Sequence, residues 1–492
     1  MSIYLKNYKN GLINWYSWDD KLFQKAKEER KPIFLSIGYS TSQWCKVMRE
    51  ESFEDETIAK LLNQNFISIK VDKDERPDID KYYKNVYKLM NGQECASPIS
   101  VFLTENIEPF YTAAYISPFS KGTVLGFQEL LQVIIEKYAN DKETMIAKGQ
   151  EVLEYIHPKN QKIEATRLNK SILNTIKKHT IELRDNENGG FGDAPKFPHT
   201  STADLLFDSY ELTGDKELLS SALLTLKKMA GGEIHDKNRG GFYRFSREKD
   251  WKNPRKEKML YDNANISAIY LRAYKLTGED FYKEVAFQTI DFMIKDMYGE
   301  HLFYSNSLDK NDDSIFIDNK IIVSWNAMII DTLFEASTID KKYLHIATDT
   351  VDKLLKQFYI NGELYHTQDN RAFLEDYAYF GIALLTAYSV TDEEEYLIFA
   401  QTILNRAIEK FYEYGRWRFS NSDFTLYDDI YDSTYPSAMA TILYLMDKIS
   451  PLVKSDYSSF IFKTLEMNSY NLMRQPLSSP KMTKMLLRYL YK

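Results

Sequence analysis

A short turn motif recurs through the second half of the 492-residue sequence and leaves few architectures open to it. Tyr210-Glu211-Leu212-Thr213-Gly214-Asp215, Tyr274-Lys275-Leu276-Thr277-Gly278-Glu279 and Tyr388-Ser389-Val390-Thr391-Asp392-Glu393 are versions of one turn, with a weaker copy at Ala336-Ser337-Thr338-Ile339-Asp340. The threonines lie 64, 61 and 53 residues apart. Each sits between two amphipathic helical patterns, where its hydroxyl and the acidic residues after it are expected to cap the second helix. The repeating unit is therefore an αα-hairpin. A second marker recurs out of phase: Gly189-Gly190-Phe191, Gly240-Gly241-Phe242, His301-Leu302-Phe303, Gly362-Glu363-Leu364 and Gly415-Arg416-Trp417. These mark the far ends of the hairpins, where glycine allows a left-handed turn and an aromatic packs it down. Residues 165–492 then hold five to six hairpins, too many for one bundle core and suited to a closed ring. The pattern predicts an all-α (α/α)6 toroid whose inner helices surround a cavity.

Residues 1–140 follow another grammar, alternating short apolar runs with helical patterns around a mixed sheet. Strands are expected at Lys31–Gly38, Phe66–Val71, Ile99–Leu103 and Phe110–Ile116. Helices are expected up to Glu50 and over Asp55–Gln64, Asp78–Met90 and Phe127–His157. The organisation is a small α/β domain over 1–140, a helical linker over 141–164 and the toroid over 165–492. The charge run Asp72-Lys73-Asp74-Glu75-Arg76 is expected to be a solvated turn that caps the next helix.

Lys and Arg number 63 against 71 Asp and Glu, a formal charge of −8, and no basic run offers a footprint for nucleic acid. Cys45 and Cys95 are too few for a disulfide framework, which fits a reducing compartment. The N-terminus carries no apolar segment behind a basic start and no window approaches a membrane span, so a soluble cytoplasmic protein is expected, with no membrane partner. The 36 Tyr and 28 Phe are a surplus of the kind that fills cores or lines carbohydrate-sized cavities.

Ser42-Gln43-Trp44-Cys45 follows a strand and opens a helix, the place where a Cys-x-x-Cys motif sets its nucleophile on a helix N-terminus. Serine in the first position leaves a lone thiol that cannot form a disulfide within the motif. These residues, with Asn14–Trp18, Lys31–Thr41, Glu51–Asp55, Lys70–Asp72 and Glu75–Asp80, resemble the spermatogenesis-associated protein 20 family. The similarity continues through Gly189–Pro198, Glu257–Ala264, Ser324–Asn326 and Asp376–Ala378. The resemblance implies a thioredoxin-like domain followed by a barrel of the six-hairpin glycosidase and N-acylglucosamine 2-epimerase kind. It places a thioredoxin-like site at Ser42, Trp44, Cys45 and Pro98, the last where that fold sets its cis-proline. Members usually carry Cys-His-Trp-Cys-His, so dithiol activity is not expected of Ser42 to Lys46. Cys95, three residues before Pro98, is a candidate substitute partner for Cys45.

In the barrel, Tyr261, Asn263, Trp325, Asn326 and Arg255 are the candidate sugar-binding groups. Glu257, Asp262, Asp376 and Asp432, with Glu375 beside them, form a pool of acids and bases. Arg255 stands where the family often has histidine, and it stays protonated, so it binds anions rather than shuttling protons. The scattered histidines, His199, His235 and His366 among them, suggest no metal site, and no cofactor is expected. Members commonly continue into a further small domain beyond the barrel. With the altered thiol and imidazole positions, the stop after the last helix here suggests a divergent, catalytically retired member. The expected function is binding of a carbohydrate or similar metabolite in the barrel. The alternatives are a sugar isomerase, epimerase or glycoside hydrolase in that cavity, and a monothiol redox or chaperone-like protein acting through Cys45.

Overall fold

The computed structural model describes residues 2–157, 164–310, 314–421 and 425–492, which divide into two compact units, 1–162 and 163–492. The first unit runs α1 (Ile3–Lys6), β1 (Trp15–Tyr16), α2 (Asp20–Glu29), β2 (Ile33–Gly38), α3 (Gln43–Met48), α4 (Glu56–Asn65), β3 (Ile67–Asp72), α5 (Pro77–Asn91), β4 (Ile99–Leu103), β5 (Pro109–Ala113), α6 (Phe127–Asn140) and α7 (Lys142–Ile156). Its sheet has the order β1-β3-β2-β4-β5, with β1, β3 and β2 parallel and β4 and β5 antiparallel to their neighbours. Every residue of β2, β3 and β4 is buried, including Lys70 and Asp72 of β3. The thioredoxin-like arrangement follows from this order.

Three local expectations give way here. The helix expected over Phe127–His157 is two helices, broken at Asp141, and α7 packs on β5 and α5 rather than standing off as a linker. The helix expected up to Glu50 stops at Met48 and passes into one wider π-helical turn over Arg49–Phe53. The charge run at 72–76 is not a solvated turn, since Asp72 and Asp74 are buried and Lys73, Glu75 and Arg76 half-buried: Asp72 accepts from the Asp74 N–H, and Arg76 grips the buried Asp78 through two hydrogen bonds.

The second unit contains α8 (Ile172–Leu183), α9 (Thr200–Thr213), α10 (Lys216–Gly231), β6 (Glu257–Met259), α11 (Leu260–Thr277), α12 (Asp280–Asp296), β7 (Tyr298–Gly299), β8 (Leu302–Phe303), β9 (Asn306–Asp309), β10 (Ile315–Asp318), α13 (Val323–Ser337), α14 (Leu344–Phe358), β11 (Tyr359–Ile360), β12 (Glu363–Leu364), α15 (Leu374–Thr391), α16 (Glu394–Phe411), β13 (Tyr412–Glu413), β14 (Arg416–Trp417), α17 (Ala438–Ile449), α18 (Ser458–Met467), α19 (Ser469–Arg474) and α20 (Pro480–Leu490). The inner helices α9, α11, α13, α15, α17 and α20 pack each on the next, and α20 returns to α9 to close the ring. The outer helices α10, α12, α14, α16 and α18 pack on the inner helix before them, and α8 completes the outer layer against α10 and the turn leading into α20. This is an (α/α)6 toroid. Nearly every residue of α13 is buried, since an inner helix touches the core on one side and the lumen on the other.

The repeated turns have distinct jobs. Thr213, Thr277 and Thr391 do not cap the following helix. Each hydroxyl donates to the carbonyl four residues back and accepts from the N–H two residues on, closing the preceding helix. Gly214 and Gly278 adopt the left-handed conformation there, at φ of 70° and 71°. At the opposite rim, β7–β8, β11–β12 and β13–β14 are short hairpins at the second marker, and the marker aromatics Phe242, Phe303 of β8 and Trp417 of β14 are buried.

Candidate functional site

In the first unit, Ser42 caps α3: its hydroxyl accepts from the Cys45 N–H at 3.3 Å and donates to the Ser97 carbonyl at 3.5 Å. The Ser97–Pro98 bond is cis. Ser42 therefore joins the start of the helix to the proline loop, where a first thiol would otherwise stand. Trp44 is 55% exposed and rests on Tyr115, with ring centroids 5.0 Å apart. Cys45 is buried, and burial pushes its thiol up despite the nearby Lys70. Gly38 has no room for a Cβ because Cys45 Sγ and the Tyr4 hydroxyl both press on it. Both cysteines are free, and their surroundings differ. Cys45 lies among Lys70, Tyr4 and Ser42, whereas Cys95 is half-buried among Lys84, Asp80 and Glu94 with its thiol pushed up to about 11.

Lys70, which carried no expected role, fills the space behind Cys45. Its ammonium is fully buried, 2.9 Å from Ser36 Oγ and 4.1, 4.5, 4.9 and 5.2 Å from the ring centres of Tyr8, Phe53, Trp15 and Tyr4. Burial pulls this amine down to about 7.

In the toroid, several candidate binding groups prove to hold the backbone. Asn263 Oδ1 accepts from the Phe242 N–H at 2.7 Å, and its amide donates to the carbonyls of Phe242 and Met259. Asn326 repeats this one hairpin later, accepting from the Phe303 N–H at 2.8 Å and donating to Phe303 and Ile322. Each asparagine stands at the fourth position of its inner helix and clips the hairpin above it. Asp376 accepts from the Ser324 and Phe373 N–H groups and faces His366 Nδ1 at 2.9 Å. Asp432 accepts from the Ser437 and Lys481 N–H groups, each at 2.8 Å. Glu257 is buried on β6 and pairs with Arg244, while Arg255 holds the Phe245 carbonyl through its backbone and Asp262 lies half-buried in the first turn of α11.

Tyr261, Trp325 and Tyr435 do meet. The Tyr261 ring lies 4.7 Å from Trp325, edge to face, and 5.1 Å from Tyr435. Tyr435 donates to Glu375 Oε2 at 2.8 Å, and Ser324 Oγ donates to Oε1 at 3.2 Å. Burial and the adjacent Asp376 push the Glu375 carboxyl up to about 7. The ligand atoms of His366, Glu375 and Asp376 all lie within 4.8 Å of one another, which the scattered histidines of the sequence did not suggest. Asp376 already serves two backbone N–H groups and the imidazole, so the trio is first a hydrogen-bonded support for the N-terminal ends of α13 and α15.

A cavity among the described residues lies elsewhere. A space of about 420 Å³ runs down the lumen, lined from all six inner helices, and it includes none of the ten binding and acid/base candidates singled out from the barrel sequence. Thr200, Ser201, Asn265, Met328, Tyr379 and Thr441 form its inner wall, and the exposed Glu211, Lys275 and Lys448 at the C-terminal ends of α9, α11 and α17 mark its mouth. Arg272 engages Asp204, Asp208 and Glu211 together, and Lys484 holds Asp204 at 2.6 Å and Asp208 at 3.4 Å. Asp331 on α13 accepts from Thr386 Oγ1 at 2.6 Å, and burial pushes its carboxyl up to about 6. Lys481 on α20 projects its ammonium over the Tyr444 ring at 4.3 Å, and burial lowers its pKa. No motif announced these residues; spacing along α13 and α20 alone cannot tell a lumen-facing charge from a solvent-facing one.

Comparison with known proteins agrees with this two-part construction. Residues 1–157 match the family model Thioredox_DsbH, described as a protein of unknown function, DUF255. The human spermatogenesis-associated protein 20 is 37% identical over 304 residues, 60% of this chain and 38% of that protein. The chain is a relative of spermatogenesis-associated protein 20. An uncharacterised protein of Caenorhabditis elegans, B0495.5, is 38% identical over 310 residues, 62% of this chain and 42% of its own length. The chain thus spans about two fifths of the curated relatives it matches. Beyond these relatives, the crystal structure of a sugar epimerase from a ruminal bacterium superposes with a TM-score of 0.51 at 15% identity, covering 61% of this chain and 85% of the epimerase. That likeness establishes the toroid fold. Within the spermatogenesis-associated protein 20 resemblance, the departures at Ser42 and Lys46 fall on the start and middle of α3.

Proposed function

We propose that the toroid binds a small, hydroxyl-rich metabolite of carbohydrate type in its lumen, and that the first unit works without dithiol redox chemistry. The observation that carries this is the lumen itself: about 420 Å³, within the range of small-molecule sites, with its wall supplied by hydroxyls, an amide, carboxylates and ammonium groups beside the rings of Tyr379 and Tyr444. Such a wall offers donors and acceptors in every direction, which a ring of hydroxyls can satisfy and an apolar ligand cannot. The fold shared with a sugar epimerase supports the same class of ligand. For the first unit, Ser42 replaces one thiol and Cys45 is buried with its thiol pushed up, which disfavours a thiolate nucleophile.

Isothermal titration with neutral mono- and disaccharides tests the binding, with Met328→Trp as the variant that fills the lumen. Binding in the native protein and its loss in M328W, at unchanged unfolding temperature, is the expected result. Absence of binding at millimolar sugar would refute it. A second reading, in which the ligand is also isomerised, is favoured by Asp331 and Lys481, two titratable groups that share the lumen.

A further inference from the structure

One aromatic ring on the lumen wall is surrounded by positive charge. Tyr444 and Lys448 lie four residues apart on α17, and Lys481, Lys484 and Arg488 follow at spacings of three and four along α20, so each set shares one helix face. The ammonium groups of Lys481, Lys448 and Lys484 lie 4.3, 5.5 and 5.7 Å from the Tyr444 ring centre, and the Arg488 guanidinium lies 5.6 Å from it. All of these residues line the cavity. Two of the cations are answered. Lys484 holds Asp204 and Asp208, and Arg488 holds Asp447, but Arg272 claims the first two carboxylates as well and Lys492 the third. Among the described residues, Lys448, exposed at the mouth, and Lys481, half-buried within, stand outside any ion pair.

A phenol ring attracts a cation weakly and has only two faces, so Tyr444 does not account for four of them. Like charges held side by side in a partly enclosed space cost stability, and a ligand of opposite charge relieves that cost. The conflict registers in the two unpaired lysines. Burial, with Arg488 and Lys484 nearby, pulls the Lys448 ammonium below its ordinary range, and burial with Lys484 nearby does the same to Lys481. Asp447 and Asp208 near Lys448, and Asp204, Asp331 and Asp432 near Lys481, lie beyond ion-pair distance and do not offset this. Asp331 is held instead by Thr386, and Asp432 by two backbone N–H groups.

We propose that this wall is a subsite for a tetrahedral oxyanion, and that the sugar-type ligand of the lumen docks there through a phosphoryl group. The inference rests on the reading of the lumen as a sugar-binding cavity and narrows its ligand to a phosphate ester. A phosphoryl group carries about −1.5 to −2 charge at neutral pH, which answers two unpaired ammonium groups, whereas a carboxylate answers one. Its oxygens accept from Lys448 and Lys481, which act as point-charge donors, and the sugar hydroxyls are left to Thr200, Ser201 and Asn265. Lys484 and Arg488 keep their carboxylates and add to the positive potential behind the site.

The test is isothermal titration of the whole chain, at one ionic strength, with D-glucose, D-mannose, their 6-phosphates and inorganic phosphate. At least one 6-phosphate should bind about 30-fold or more tightly than its free sugar, and more tightly than inorganic phosphate. Lys481→Gln and Lys448→Gln should each cut the affinity for that ester about 10-fold or more and leave the affinity for the free sugar unchanged. Each substitution removes a like-charge conflict, so neither should lower the unfolding temperature of the ligand-free protein. The exposed position of Lys448 keeps its variant informative even where Lys481→Gln disturbs the wall. Esters that bind no more tightly than the free sugars, or an advantage that survives in both variants, overturn the oxyanion subsite and leave the sugar reading standing. Inorganic phosphate binding as tightly as the esters, with no binding of the free sugars, keeps the subsite and overturns the sugar reading. No binding by any of the five overturns both.

Discussion

Lys70→Met is expected to stabilise the first unit, which is unusual for removal of a buried hydrogen-bonding group. The folded protein holds the Lys70 amine at about 7, against 10.5 for a free lysine, because burial penalises the ammonium. Between those values the unfolded chain binds the proton and the folded chain does not, so stability rises with pH across that window and is lowest at and below its lower edge. At one pKa unit per about 1.4 kcal/mol, the penalty is about 4 kcal/mol near pH 7 and about 2 kcal/mol near pH 9. Methionine removes this penalty, while the lost hydrogen bond to Ser36 and the lost ring contacts offset about 1 to 2 kcal/mol. A net gain of about 2 to 3 kcal/mol near pH 7 should result, shrinking by about 2 kcal/mol near pH 9. Hydrogen exchange at the β2 and β3 amides reads the opening of this unit alone. The reasoning fails if the difference between native and variant proteins is the same at both pH values, or if the variant is less stable near pH 7.

Asn263→Ala or Asn326→Ala should each destabilise the toroid by about 1 to 3 kcal/mol in denaturant unfolding, because the buried N–H of Phe242 or Phe303 loses its acceptor and two backbone carbonyls each lose a donor, and neither should weaken sugar binding among folded molecules. Glu375 keeps its proton to about 7 in the folded state, so its contribution falls as pH rises from the ordinary carboxylate range to about 7; Glu375→Gln should flatten that decline in unfolding temperature. Alkylation of the native protein near neutral pH should label Cys95 first and Cys45 only on unfolding, as peptide mass spectrometry would show.

The architecture was legible because a ring of hairpins must repeat its turns. The Tyr-x-Leu-Thr-Gly motif marks the ends of α9 and α11, and the Gly-Gly-Phe marker marks the opposite rim. The same regularity misled the choice of binding residues. Asn263 and Asn326 stand in segments that match relatives and look chemical, yet they belong to the repeat itself, each fastening its hairpin to its helix. The residues facing the lumen lie outside such motifs. Asp331 and Lys481 are ordinary charges on helices, and only closure of the ring distinguishes inside from outside for them. In the first unit, the helix-opening Ser42 and buried Cys45 followed from local pattern, whereas Lys70 did not, since a lysine in a strand gives no sign that four aromatic rings will surround it.

The return of α20 to α9 has a consequence for how the protein is made. The pair Lys484–Asp204 joins residues 280 positions apart, and the first inner helix is complete long before its partner is synthesised. Closing a loop of that length costs about 5 kcal/mol of chain entropy, which no nearest-neighbour stacking of hairpins supplies in advance. Until α20 leaves the ribosome, Asp204 and Asp208 lack Lys484 and the edge of α9 that receives α20 stays bare. An arc of five hairpins is therefore the species most in need of protection during synthesis, and deletion of α20 should leave nascent chains to chaperones or proteases.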